Sequence, residues 1–339
     1  MSQREDIFKE IQTTLAGAQN LEADLKGELQ CEWLPGDASN RFYARLTNPK
    51  SKKSYMAMVM NAPEAFKSEE VTGKELGLTE LPFVTIDRAL ENAGVRVPHL
   101  YYVDPKSKFL ITEDMGAELL YDRRQKEGAH EWYRSALESL AKFQKVKPFE
   151  PARSRSFTLD LLTWEAEHFV EYAILKNDKQ ISDTALREIR EFLKKSVEQI
   201  SKAPYILSHR DYHSKNLMIL EAEKKIGMID FQDALMGPAD YDLASLLRDS
   251  YVTFTDEEEA DFLKIYESVS GRAVDRRLFG MVSLQRNLKA IGRFFYILKV
   301  KGKDTHIPYV RPTLSRVSRT LKSMNEMRVL SLIEGIFSK

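Results

Sequence analysis

LSHRDYHSKNLMIL, Leu207 to Leu220, and GMIDFQDALMGPADYDLASLL, Gly227 to Leu247, decide how this 339-residue chain is read. The apolar runs Ile206-Leu207, Leu217 to Leu220 and Ile226 to Ile229 are too short for helices and alternate with polar clusters, so they predict short strands. They are an exception, because the rest of the chain beyond Gly116 carries helical periodicity. Three polar positions punctuate the patch. Asp211 follows His209 by two residues, Asn216 follows Asp211 by five, and a second acid, Asp230, closes the run Ile226 to Ile229.

Outward toward the N-terminus the pattern changes period. Ile7, Ile11 and Leu15 mark a leading helix over Asp6 to Leu15. Strands follow at Glu32 to Leu34, Arg41 to Leu46 and Tyr55 to Met60, with turns at Pro35-Gly36-Asp37 and Asn48 to Ser51. A helical pattern from Glu69 to Ala93 stops at Gly94, a C-cap candidate, and two further strands are expected at His99 to Val103 and Phe109 to Glu113. Three strands, a crossing helix and two more strands predict a small mixed sheet. The expected fold class is therefore α+β, with a mixed-sheet lobe over 1–113 and a mainly helical lobe over 114–339. A chain of this length divides its core into two such lobes.

Composition narrows the function classes. The chain is 43% hydrophobic and 30% charged with 15 Gly and 12 Pro, the profile of an ordered, helix-rich protein. Lys plus Arg and Asp plus Glu each number 51, so no global field is available to gather nucleic acid or acidic lipid, and neither is expected as a partner. No obligate protein partner is inferred. One cysteine, Cys31, excludes an internal disulfide framework and reads as a small strand side chain. With no long apolar run and a charged start at Arg4-Glu5-Asp6, the expected location is the cytoplasm.

The spacing of the punctuating residues matches a kinase catalytic loop, H-x-D-x-x-x-x-N. Phosphoryl transfer requires an acceptor hydroxyl aimed at the γ-phosphate and a metal that neutralises developing charge. Asp211 is the candidate catalytic base, accepting the hydroxyl proton. Asn216 and Asp230 offer an amide and a carboxylate oxygen, which suit a hard cation such as Mg²⁺.

HRDYHSKN and IDFQDALMGPADYDLA resemble the H-x-D-x-H-x-x-N and I-D-F-x-D-A…D-L-A motifs of the aminoglycoside phosphotransferase/choline kinase superfamily. The resemblance covers nearly the whole chain and implies a protein-kinase-like two-lobed fold, ATP as co-substrate and Mg²⁺ as cofactor. It assigns nucleotide binding to the first lobe and catalysis to the second. It also makes Asp242 the acid that braces the catalytic loop. His209 is read as structural support, and His213 either contacts phosphate and substrate or orients the loop. Only Phe231 to Ala239 separate Asp230 from Asp240-Tyr241-Asp242, and no A-P-E follows, so a folded protein substrate would lack its docking platform.

GDASNRFYARL (Gly36 to Leu46), MVMNAP (Met58 to Pro63), FLITEDMG (Phe109 to Gly116) and QRNLKAIGRF (Gln285 to Phe294) resemble a narrower group, the N-acetylmuramate/N-acetylglucosamine anomeric kinases of cell-wall sugar recycling. The implied reaction is ATP-dependent phosphorylation of the anomeric hydroxyl of an amino sugar. Two departures from an ordinary kinase stand out: the first turn has a single glycine, and β-strand residues Tyr55 to Met60 carry no lysine. Ser39, Asn40 and Arg41 are the candidate phosphate contacts, with Arg41 or Arg45 replacing the absent charge. A plain hairpin turn is the alternative there. Glu113 and Met115 are placed to read adenine through their backbone. Asp233, Arg286 and Arg293 are the candidate sugar contacts, against the simpler readings of a turn residue and of surface ion pairs. Glu165 and His168 share one helical face and border the expected pocket.

Competing readings are a kinase of another small hydroxyl compound (aminoglycoside, choline or homoserine), a metallohydrolase with His209, Asp211 and His213 on a transition metal, and an ATP-binding pseudokinase suggested by the absent lysine.

Overall fold

In the computed structural model, residues 3–35, 41–60, 80–177 and 179–337 are described. The chain begins with α1 (Gln3–Gly17), α2 (Ala23–Lys26), β1 (Gln30–Trp33), β2 (Arg41–Thr47), β3 (Ser54–Met60), α3 (Pro82–Asn92), β4 (Leu100–Val103) and β5 (Phe109–Glu113). It continues through α4 (Leu120–Arg123), α5 (Ala129–Gln144), α6 (Leu159–His168), α7 (Asp183–Ile200), β6 (Tyr205–Ser208), β7 (Leu217–Leu220), β8 (Lys225–Met228) and β9 (Leu235–Pro238). It closes with α8 (Tyr241–Leu247), α9 (Asp256–Ser270), α10 (Arg276–Lys301), α11 (Val310–Ser323) and α12 (Met327–Phe337). Two compact units emerge, one of residues 1–117 with 220–232, the other of 118–219 with 233–339.

The first unit is built on a five-stranded sheet in the order β1-β2-β3-β5-β4. Every neighbouring pair is antiparallel, which corrects the expected mixed sheet. The reason is the strand order: α3 delivers the chain to β4 at the edge, and β5 returns between β4 and β3. The period-2 alternation of the strands then sorts their side chains to two faces. Tyr55, Ala57, Val59, Phe109 and Ile111 pack with Ile11 and Leu15 of α1. Met58 and Leu110 face the other way, onto Leu81 and Val84 at the start of α3. Each fully buried aliphatic chain in these clusters contributes ~2 kcal/mol of transfer free energy.

Local chemistry fixes the connections. Asn48 Oδ1 accepts the backbone N–H groups of Lys50 (2.9 Å) and Ser51 (3.2 Å), which makes the expected turn between β2 and β3. α3 starts at Pro82, whose fixed φ suits the first helical turn, and Gly94 ends it at φ +72°. The part of the expected helix before residue 80 lies outside the described residues.

The spine of the second unit is α10. Asp275 caps it, accepting N–H from Arg277 and Leu278, and Gly302 at φ +65° terminates it. α6 runs on as a π-helical turn, Phe169–Ile174, and meets α10 at Gly292. A Cβ on Gly292 would lie 2.5 Å from the carbonyl carbon of His168 and 2.6 Å from the nitrogen of Phe169, so only glycine allows the two backbones to touch. No described helix is long and apolar enough to cross a membrane.

Candidate active site

β6 and β9 form a short antiparallel ladder, and the catalytic-loop sequence leaves it at Ser208. Asp242, in the first turn of α8, holds that exit. Its carboxylate accepts hydrogen bonds from Ser208 Oγ (3.0 Å), His209 N (2.7 Å) and Arg210 N (3.0 Å). Arg210 sits at φ +76°, a strained conformation for a non-glycine residue, and these bonds offset its cost. Arg286 of α10 donates to the Arg210 carbonyl at 2.6 Å and rests over the Tyr241 ring, so its guanidinium is committed to the loop. His209 is fully buried with its ring against Phe143 and Tyr212, while Tyr212 Oη donates to the Ala136 carbonyl at 2.7 Å.

Asp211 follows on this clamped backbone, half-buried. Burial alone would raise its carboxyl, but Lys289, Arg286, His213 and Arg210 outweigh it and hold the group well below the usual carboxylate range. Lys289 is itself placed by Glu165 of α6. That fully buried acid accepts Lys289 Nζ at 2.7 Å and Gln285 Nε2 at 2.9 Å, and lies 3.5 Å from the Arg210 guanidinium. Lys289 is absent from the candidates drawn from the sequence. Its signal was the three-residue step from Arg286, which puts both cations on one helical face.

Asn216 ends a three-residue 3₁₀ turn, Ser214–Asn216. Its Nδ2 donates to the Asp211 carbonyl at 3.0 Å, so Oδ1 is the atom it offers a hard cation. Ser214 is fixed by Asp249, which accepts the Ser214 N–H at 2.9 Å and its hydroxyl at 2.5 Å. Asp249 was also missed; it stands seven residues after Asp242, beyond the end of α8. The His213 ring meets Tyr251 edge-on at 5.4 Å.

Asp230 belongs to the first unit, where its backbone takes φ +63°. It accepts Gln232 Nε2 at 2.7 Å, and Arg41 Nη1 of β2 lies 3.9 Å away. Arg45, two turns of the pleat further along β2, is engaged elsewhere: Nε donates to Asp114 Oδ2 at 2.7 Å and Nη2 to the Gly116 carbonyl at 3.2 Å. The two arginines thus divide their work, one beside Asp230 and one beside the segment after β5. Glu113 is paired bidentately by Arg96 at 2.7 and 2.6 Å, and its carboxyl is lowered because that pairing outweighs the burial that would raise it. Met115 is buried against β8, where a Cβ on Gly227 would come within 2.7 Å of its sulfur.

The remaining expected contacts are more scattered. Asp233 is half-buried within electrostatic range of the buried Arg155. Arg293 lies over the Tyr296 ring at 4.7 Å, two turns along α10 from Arg286. His168 packs its ring between Trp164 and Tyr172. Ser39 and Asn40 lie outside the described residues. Burial pushes the Cys31 thiol up to about 11, which removes it as a nucleophile. Among the described residues no three His, Cys, Asp or Glu side chains gather closely enough to share a metal, and His209 is sealed among aromatic rings. The metallohydrolase reading of His209, Asp211 and His213 falls on that geometry.

The model of the phosphotransferase enzyme family matches residues 31–278, and the chain belongs to that family. Curated relatives include an N-acetylmuramate/N-acetylglucosamine kinase of Caulobacter vibrioides, 29% identical over 328 residues, covering 87% of this chain and 88% of the relative. One of the same name from Pseudomonas putida is 29% identical over 236 residues, with 67% and 68% covered. Among solved structures, a choline/ethanolamine kinase family protein from Mesorhizobium loti superposes with a TM-score of 0.62 at 16% identity, covering 96% of this chain and 99% of that one. A spectinomycin phosphotransferase solved with ADP and spectinomycin gives 0.57 at 13% identity over 90% and 93%. The fold is the protein-kinase-like, two-lobed one, and the chain is a phosphotransferase with a hydroxyl acceptor.

Proposed function

We propose that this phosphotransferase moves the γ-phosphoryl group of ATP onto the anomeric hydroxyl of N-acetylmuramate, N-acetylglucosamine or both, as a cytoplasmic enzyme of cell-wall sugar recycling. The observation that carries the reading is the Asp211 carboxylate, kept ionised by Lys289 and Arg286 on a loop that Asp242 clamps. A base so far below neutrality does not remove a proton early. It orients the acceptor hydroxyl and takes the proton late, which suits a loose phosphoryl-transfer transition state. Asn216 and Asp230 are the oxygen donors assigned to Mg²⁺, which would supply neutralisation of phosphate charge. The backbone of Glu113 and Met115 is assigned to adenine, and Arg41, beside Asp230, is the cation assigned to the phosphates in place of the strand lysine. His213, Asp233 and Arg293 remain the assigned contacts of the sugar side; Arg286 acts chiefly by holding the loop. The names of the curated relatives support the amino-sugar acceptor.

A panel of N-acetylmuramate, N-acetylglucosamine, choline, homoserine and aminoglycosides, each with ATP and Mg²⁺, tests the acceptor. Turnover with an amino sugar and a 1-phosphate product is expected. Failure with both amino sugars alongside turnover of another alcohol would move the assignment within the family, and ATP binding without turnover of any acceptor would favour the pseudokinase.

A further inference from the structure

The Ser214–Asn216 turn is tethered at each of its three residues, and the middle tether is unusual. Lys215 Nζ lies 3.9 Å from the ring centre of Tyr251, 4.6 Å from that of Tyr309 and 4.9 Å from that of Tyr121. It also donates to Tyr309 Oη at 3.3 Å. Tyr251 and Tyr309 stand perpendicular to each other at 4.8 Å, and the hydroxyls of Tyr121 and Tyr309 meet at 3.5 Å, so the rings support one another as walls. Aromatic rings ranged around an ammonium make a cation cage, since each presents the negative face of its quadrupole. The walls come from three separate places: α4, the segment after α8, and the turn before α11.

A 3₁₀ turn of three residues has weak internal hydrogen bonding, so its conformation is set by what holds its side chains. Asp249 holds Ser214, the Asp211 carbonyl holds the Asn216 amide, and the cage holds Lys215. A lysine next to a metal-binding asparagine would ordinarily be a hazard, because its charge repels a divalent ion. Ring faces on three sides hold the ammonium in one place beside Asn216.

We propose that the Tyr121–Tyr251–Tyr309 cage is an ammonium-binding site occupied by the chain's own Lys215, that this occupancy positions Asn216 for the metal, and that a free primary alkylammonium fits it when the lysine side chain is removed. Lys215 is thus a positioning residue. The metal part of this inference rests on the assignment of Asn216 under the proposed function; the cage part does not.

The test uses the full chain. Mn²⁺ binding with a non-hydrolysable ATP analogue, read by electron paramagnetic resonance, is expected to weaken about tenfold in Lys215→Ala, as for other residues that orient metal ligands. n-Propylammonium, the part of the lysine that the substitution deletes, is expected to bind that variant and restore its Mn²⁺ affinity, with no effect on the unsubstituted chain. Lys215→Met, which keeps most of the stem without the charge, should show the loss without the rescue, and serves if the alanine variant does not fold. In the unsubstituted protein labelled with ¹³C-ε-lysine, the Lys215 Hε resonances should lie upfield from ring currents. Unchanged Mn²⁺ affinity in Lys215→Met, no n-propylammonium binding to Lys215→Ala, or ordinary Hε shifts would overturn the proposal. If the unsubstituted chain binds no Mn²⁺–nucleotide, the metal assignment fails, and amine binding read by calorimetry still decides the cage.

Discussion

Two places in the molecule, one in each unit, bury carboxylates in opposite ways. In the helical unit Asp242, Asp249 and Glu165 are all buried, and each accepts bonds from several donors. In the strand unit Asp87, on α3, is fully buried with neither oxygen hydrogen-bonded. Its carboxyl is pushed up to about 8, first by burial and then by Glu91, with Arg88 offsetting part of the effect. A buried acid needs donors to stay ionised, and without them it takes a proton instead. Asp242, Asp249 and Glu165 serve as hydrogen-bonded clamps around the segment from Ser208 to Asn216, whereas Asp87 is kept as a neutral filler.

That contrast can be broken at several points. Asp242→Ala should cost the most, about 4 kcal/mol of stability by chemical denaturation, because three buried donors lose their acceptor at once. Wild-type stability in that variant would show the clamp to be idle. Asp211→Asn should fold normally yet lower kcat at least ~100-fold, the scale of a general base and ~2.7 kcal/mol of barrier. Turnover within a few-fold of the parent would remove Asp211 from the chemistry. Lys289→Met should destabilise by roughly 2 kcal/mol by removing one of the donors to the buried Glu165 carboxyl. Combined with Glu165→Gln the two losses should fall well short of additive, and a double-mutant cycle reads the coupling.

Asp87→Asn should act with the opposite sign. Because the folded-state pKa of Asp87 is raised, the stability it contributes is fully present below its unfolded pKa of ~4 and is lost as pH climbs toward about 8. The neutral amide escapes that loss, so the variant should gain on the parent steadily as pH rises from 4 to 8 and show no advantage at pH 4. A pH-independent difference in thermal melts would refute the neutral-acid reading. Smallest of all, Arg45→Lys should change stability by under ~1 kcal/mol, because its pair with Asp114 is partly exposed on the arginine side.

What the sequence disclosed follows the same divide. The spacing from His209 through Asp211 to Asn216 is local, so the loop could be read directly, and the apolar run Phe109 to Glu113 coincides with β5. β9 went unread because Gly237 and Pro238 sit inside it, and only its ladder with β6 makes it a strand. The antiparallel parity of the sheet depends on strand order, which no single strand encodes. Asp249 was invisible, and Lys289 signalled only by its step from Arg286, for a related reason: an acid after a helix and a lysine on one look like ordinary surface charges until packing supplies Ser214 and Glu165 as their partners. Arg286 was picked out as a contact for the sugar, and the partner that packing gives it is the Arg210 carbonyl.

Gly292 carries a consequence for how this enzyme can diversify. Where two helices are separated by side chains, a change of residue lets one slide and reshapes the wall between them. Here the backbones of α10 and the α6 π-turn already abut, leaving nothing to compress. Lys289 and Glu165 therefore ride on a single plate. What surrounds Lys289 and Glu165 can change only through the side chains that decorate that plate, since the two backbones have no room to shift at Gly292.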